Sequence, residues 1–157
     1  MSTIKVGDKA PSFKLRASDT KEVSLADFAG NNVVILFFPL AFTGVCTDEL
    51  CSIRDTKDDY EALNAEVLAI SVDSPFTLAK FKAEQQYNFP LLSDFNKEVS
   101  KAYGAFYEEF VLDLKGVSKR SAFVVDKDGI IKYAEVLESA GDLPNFAAIN
   151  EILANLN

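Results

Sequence analysis

The sequence predicts one α/β domain spanning residues 1–157, with a central mixed β-sheet flanked by helices and an N-terminal extension. Short apolar runs alternate with helical stretches and turn signals, without repeats or low-complexity tracts. The run Val33-Val34-Ile35-Leu36-Phe37-Phe38 is apolar on both of its alternating faces, as a central strand covered on two sides must be. The length of 157 residues and the 48% hydrophobic content suit a single sizeable core.

Each element carries its own signal. Ser12-Phe13-Lys14-Leu15 alternates like a short strand after the turn at Val6–Pro11, and Ser24 to Gly30 reads as one helical turn with a serine cap and a glycine stop. After the 33–38 strand, Leu50, Ile53, Tyr60 and Leu63 recur at helical spacing, predicting one amphipathic helix over 46–63. Glu66 to Val72 reads as a strand. Ser74 caps a helix over 75–87 with Pro75 at its first position, where the missing N–H is no loss. A short strand and a helix follow between Phe89 and Tyr103. Residues 104–119 are irregular yet apolar, with Phe106, Tyr107, Phe110, Val111, Leu112 and Leu114, and are expected to pack against something. Residues 120–126 and 130–136 form a hairpin about Asp128-Gly129, and 144–156 a final helix.

A formal net charge of −8 repels nucleic-acid backbones and anionic membrane surfaces, so the expected partners are small molecules or proteins. Met1-Ser2-Thr3-Ile4-Lys5 has no apolar leader core, and no apolar stretch approaches the roughly 20 residues that span a bilayer. A cytoplasmic protein is expected. Cys46 and Cys51 do not make a secreted disulfide framework and point instead to thiol chemistry or to inert thiols.

Cys46 falls in the first turn of a predicted helix, where unpaired N–H groups and the helix dipole favour the thiolate, the nucleophilic form. A buried cysteine is otherwise a small hydrophobe. The chain has no histidine, which excludes Cys–His catalysis and histidine zinc sites, and two cysteines cannot make a four-thiolate metal site. No metal or cofactor is expected. A thiolate activated by a cation or by backbone donors suits an electrophile that needs no imidazole base, and peroxide cleavage meets that need.

Pro39, Thr43 and Cys46 match the Pro-x-x-x-Thr-x-x-Cys signature of the peroxiredoxins. The run Phe-Phe-Pro-Leu-Ala-Phe-Thr-Gly-Val-Cys resembles the branch typified by alkyl hydroperoxide reductase E. Phe89-Pro90-Leu91-Leu92-Ser93-Asp94, Ala102-Tyr103-Gly104 and Arg120 before Ser121–Asp126 follow in the family's order, so the resemblance covers nearly the whole chain. It implies a thioredoxin-like fold and a thiol-dependent peroxidase. Cys46 would be the peroxidatic thiolate. Thr43 would place its hydroxyl on the attacked oxygen while capping the helix, Arg120 would hold a positive charge beside the sulfur, and Pro39 would shield it from water. Glu49 matches a position that often orients the arginine, although Asp48 and Glu49 also oppose a second negative charge nearby. Phe38 and Phe42 are expected to form an apolar collar for an organic hydroperoxide. The implied partners are a peroxide, a thiol reductant (thioredoxin, glutaredoxin or a low-molecular-weight thiol) and a second copy of the chain in a homodimer.

Cys51 stands five residues beyond Cys46. Along an intact helix that is a rotation of about 140° and a rise of about 7.5 Å, beyond disulfide reach. Bacterioferritin-comigratory-type peroxiredoxins place a resolving cysteine at this spacing, whereas the alkyl hydroperoxide reductase E branch generally omits it. Cys51 is thus either a resolving thiol, reached by unwinding of the helix start, or a buried structural one. Arg54, two turns past Cys46, is expected to be solvated. Three other functions are conceivable for such a chain. A disulfide oxidoreductase needs Cys-x-x-Cys and a proline before the 120 strand, and both are missing; a glutathione-peroxidase-like site needs a tryptophan, and there is none. A thioredoxin-fold binding or chaperone module would use the apolar 106–114 loop.

Overall fold

The computed structural model describes residues 4–156; Met1-Ser2-Thr3, which carry part of the expectation about a leader, lie outside the described residues. The strands are β1 (Lys14–Ala17), β2 (Glu22–Ser24), β3 (Asn32–Phe37), β4 (Ala65–Ser71), β5 (Leu91–Ser93), β6 (Phe106–Tyr107), β7 (Val117–Ser118), β8 (Ser121–Val125) and β9 (Ile131–Val136). The helices are α1 (Gly44–Asp55), α2 (Lys57–Ala62), α3 (Pro75–Gln85), α4 (Glu98–Ala102) and α5 (Phe146–Leu156).

Seven strands form one sheet in the order β2-β1-β5-β4-β3-β8-β9, with β3-β4 and β4-β5 parallel and the other pairs antiparallel. The expected mixed sheet is therefore present, and β1-β2 extend it beyond β5. β6 and β7 pair separately as a short ribbon.

All six residues of β3 are buried, and their alternation builds two apolar layers. Val34, Leu36 and Phe38 pack with Leu50, Ile53, Leu78, Phe81 and Ile149 on one face; Val33, Ile35 and Phe37 pack with Phe13, Val99, Tyr103 and Phe123 on the other. Each such side chain contributes about 1.5–3 kcal/mol by burial. Truncating Leu36 near the end of β3 would cost about 2–5 kcal/mol, because its neighbours cannot collapse into the space.

Local signals are mostly realised. Ser74 Oγ accepts from Thr77 N–H at 3.1 Å at the start of α3, and Gly129 takes φ +83° in the hairpin turn. The continuous helix over 46–63 is not observed. It breaks at Thr56, whose hydroxyl donates to the Ser52 carbonyl oxygen at 2.9 Å and whose φ/ψ of −116°/19° leave the helix. Residues 104–119 also differ from expectation: Phe106 and Val117 are buried, but Val111 and Leu112 are 61% and 87% exposed.

Candidate active site

The loop after β3 delivers Cys46 to the mouth of α1. Pro39 is buried and ends the strand's run of donors, since it has no N–H to offer the sheet. Ala41 N–H donates to Asp73 Oδ2 at 2.8 Å, and the Ser71 hydroxyl reaches the same oxygen at 2.7 Å, so the carboxylate just past β4 pins the loop. Phe42 sits at φ +68°, a conformation an aromatic residue rarely adopts, and its ring lies 4.9 Å from that of Phe81. Thr43 is the N-cap residue. α1 then begins at Gly44, which places Cys46 in the first turn, 1% exposed.

Arg120, immediately before β8, is also 1% exposed and commits its three kinds of nitrogen to three acceptors. Nη2 donates to Cys46 Sγ at 3.1 Å, Nη1 to Glu49 Oε1 at 2.6 Å and Nε to the Ala140 carbonyl oxygen at 3.1 Å. Burial alone would pull this guanidinium down, and Glu49 and Cys46 more than offset it, so it stays charged. One helical turn separates Cys46 from Glu49, so a single fork spans both acids.

Glu49 has no exposed surface, and its second oxygen, Oε2, has no hydrogen-bond partner. Burial pushes its carboxyl up to about 7, against the pull of the Arg120 charge and hydrogen bond. Asp48, by contrast, is exposed, so of the two carboxyls only Glu49 is packed against the buried arginine.

A depression of about 280 Å³ opens over the sulfur, walled mainly by Pro39, Leu40, Val45, Phe110 and Val111, with Arg120 and Ala140 at its floor. A second hollow of about 310 Å³, between Phe28 and the Asp126–Gly129 turn, lies at the opposite end of β3, and no cysteine lines it. The first places a cysteine sulfur and a guanidinium beside apolar walls. Its chemical capacity is attack by sulfur on an electrophile whose departing charge is met by a fixed guanidinium and the open end of a helix.

The structure brings Cys46, Arg120, Glu49, Thr43 and Pro39 to one place. It corrects other expectations. The Thr43 hydroxyl does not cap α1; it donates to the Leu40 carbonyl oxygen at 2.8 Å across the tight loop. The Phe38 and Phe42 collar is absent. Phe38 continues the inward alternation of β3 and is fully buried against Phe81, and Phe42 turns to the same ring, so Phe110 and Val111 wall the depression instead. Arg54 is not simply solvated, because its Nη1 donates to the Gln85 carbonyl oxygen at 2.6 Å and ties α1 to the end of α3. Cys51 is half-buried, with its thiol directed to Gln85 Oε1 at 3.5 Å and its sulfur 3.8 Å from the Tyr87 hydroxyl. Both thiols are free. Sequence reasoning missed Asp73 and the Ala140 carbonyl, and it placed Phe110 and Val111 only in an apolar segment expected to pack against something; the position of Asp73 directly after a predicted strand end offered a signal.

A thiol beside a buried guanidinium, at a helix mouth above a mixed sheet, defines a cysteine-dependent redox enzyme of thioredoxin-like fold. A model of the AhpC/TSA family matches residues 6–134, and the chain belongs to that family, the peroxiredoxins, which are thiol-dependent peroxidases. It is 43% identical over 136 residues to alkyl hydroperoxide reductase E of Mycobacterium tuberculosis, covering 85% of this chain and 86% of the relative. It is 37% identical over 134 residues to peroxiredoxin Bcp of Escherichia coli, with the same coverage of 85% and 86%. Among solved structures, a peroxiredoxin-like protein from Aquifex aeolicus superposes with a TM-score of 0.90 at 26% identity, covering 100% of this chain and 90% of that one. The mixture of two branch patterns in the sequence thus has a counterpart in its relatives.

Proposed function

We propose that the chain reduces hydrogen peroxide or organic hydroperoxides through Cys46, and the observation that carries this is the 3.1 Å contact from Arg120 Nη2 to Cys46 Sγ under an apolar depression. The thiolate lone pair attacks one peroxide oxygen and the O–O bond breaks. An S–O bond forms, and the proton of the attacked oxygen passes to the leaving one, giving alcohol or water and a cysteine sulfenate. Arg120 holds the charge and orients the peroxide, and Pro39 keeps water from the sulfur. Thr43, at the rim, offers its hydroxyl oxygen as acceptor for the peroxide proton while donating to Leu40.

The sulfenate takes up a proton from solvent, and a thiol then condenses with the sulfenic acid, releasing water and leaving a disulfide. In this proposal Cys51 supplies it after the first turn of α1 unwinds. The far half of α1 is anchored by Arg54 to Gln85 and by Asn88 Nδ2 to the Arg54 carbonyl oxygen at 3.2 Å, which supports an opening at the Cys46 end. An external thiol, such as thioredoxin, glutaredoxin or a low-molecular-weight thiol, reduces that disulfide. The same chemistry fits a reducing compartment, and we assign the protein to the cytoplasm and to a single domain over 1–157. Exposed Phe42, Val111, Leu112 and Leu143 support a homodimer interface. A sedimentation result of monomer alone at micromolar concentration contradicts that part.

The test is peroxide consumption by wild type and Cys46→Ser with a thiol reductant present. Loss of turnover in the variant is expected, and retained turnover overturns the assignment of the nucleophile.

A further inference from the structure

The bond from Arg120 Nε to the Ala140 carbonyl oxygen makes the guanidinium depend on the placement of residues 137–141, which follow β9. That segment is held from three sides. Leu137 N–H donates to the Arg120 carbonyl oxygen at 2.9 Å. Lys119 Nζ reaches the Glu138 carboxylate at 3.1 and 3.2 Å, but the Glu138 side chain is 83% exposed, and such screened pairs contribute about 0–1 kcal/mol. The third hold comes from far along the chain: the Tyr107 hydroxyl donates to the Glu138 carbonyl oxygen at 2.8 Å and lies 3.5 Å from that of Leu137.

Tyr107 is well placed for this. It belongs to β6, is fixed in register against Val117, and holds its ring tilted 5.1 Å from that of Phe110, a wall of the depression. Burial, with Glu138 adding and Arg120 opposing, pushes its phenol up, so the hydroxyl stays a donor at neutral pH.

We propose that Tyr107 is a positioning residue for peroxide reduction, whose hydroxyl fixes the Glu138 carbonyl and thereby the Ala140 carbonyl that aims Arg120 at Cys46. The proposal rests on the assignment of Arg120 as support for the Cys46 thiolate. Nη1 binds Glu49 at 2.6 Å and Nη2 binds the sulfur at 3.1 Å. A fork released at Nε swings about its shorter contact, and the longer one to sulfur is lost first. Tyr107 does not line the depression, so its influence passes through the main chain of 138–140.

Tyr107→Phe removes the hydroxyl and keeps the ring. The readouts are the second-order rate constant of the first oxidation by hydrogen peroxide and the pH profile of Cys46 alkylation by iodoacetamide, resolved from Cys51 by peptide mass. The change is made in wild type and again in Glu49→Gln/Arg120→Met, a background without an unpaired buried charge. In wild type the variant is expected to lose about two- to tenfold in rate, the worth of one hydrogen bond, and to move its alkylation profile to higher pH. In the second background it is expected to change neither. A Tyr107→Phe profile superimposed on wild type overturns the proposal. So does an equal loss in both backgrounds, which a packing defect produces. If Glu49→Gln/Arg120→Met itself leaves the profile and the rate at wild-type values, the assignment of Arg120 falls, and the positioning role with it.

Discussion

Glu49 and Cys46 share one guanidinium: Arg120 gives the carboxylate its 2.6 Å bond and the sulfur its 3.1 Å bond, and all three groups are at most 1% exposed. Burial pushes the Glu49 carboxyl up to about 7, against the pull of the Arg120 charge and hydrogen bond, and its Oε2 has no hydrogen-bond partner.

The consequence for stability has a definite sign. The folded protein holds the Glu49 proton more tightly than the unfolded chain, where the ordinary value is 4.5. The resulting stabilisation is complete below that value and is lost as pH rises to about 7, after which the penalty stays constant. Glu49→Gln retains an oxygen to accept from Arg120 and removes the charge. Urea unfolding at several pH values is expected to show the variant gaining on wild type between these limits, and a difference that does not grow with pH contradicts the account.

Cys51 gives a second prediction. Its thiol faces Gln85 and Tyr87, and disulfide formation requires Cα atoms within about 7 Å, which the intact helix does not allow. Intact mass after one equivalent of peroxide is expected to show one added oxygen first. Loss of two hydrogens relative to the starting protein follows in a slower phase, independent of peroxide and accompanied by loss of far-UV helical signal. Cys51→Ser is expected to stop at the added oxygen; wild-type protein that also stays at the added oxygen, with no loss of two hydrogens, rules Cys51 out as the resolving thiol.

The walls of the depression predict selectivity. Phe110→Ala removes part of the apolar wall of the depression, which a bulky organic hydroperoxide is expected to touch and hydrogen peroxide is too small to exploit. Stopped-flow rates are expected to fall about fivefold more for the organic substrate, equivalent to about 1 kcal/mol of lost apolar contact. Equal losses for the two substrates would place the organic group elsewhere.

Asp73 anchors the loop through its bond to Ala41 N–H. Asp73→Ala frees a segment that already holds Phe42 at positive φ, and a misplaced Thr43 and Cys46 are expected to lower the oxidation rate about tenfold or more. Asp73→Asn keeps an oxygen acceptor and is expected to recover most of the rate. Failure of asparagine to do better than alanine would leave the loop bond without a catalytic role.

What could be read from the sequence was what local chemistry decides. β3 showed in its unbroken apolar run, α3 in Ser74-Pro75 and the hairpin in Asp128-Gly129, because each depends on residues within a few positions. Cys46, Thr43, Pro39 and Arg120 were reached through spacing and resemblance. The break at Thr56 was hidden because serine and threonine back-bonding competes with a helix without altering its hydrophobic period. Phe38 was misplaced although the alternation Val34, Leu36, Phe38 already turned it inward. Ala140 acts through its carbonyl oxygen, which every residue possesses, and Tyr107 acts on another backbone carbonyl some thirty positions away, so neither leaves a mark in residue type. The opposition expected from Glu49 is real in sign, and only the fold shows that the arginine answers it directly.

The most direct measurement is the rate of the first oxidation of Cys46 by peroxide in wild type, in Glu49→Gln and in Glu49→Gln/Arg120→Met, the last two differing only in the cation. Removal of the guanidinium is expected to slow the step by about a hundredfold or more, the usual scale for a charge aimed at a transition state in a buried site. A rate within about twofold of the Glu49→Gln protein, with the fold intact, would show that Arg120 does not support this sulfur.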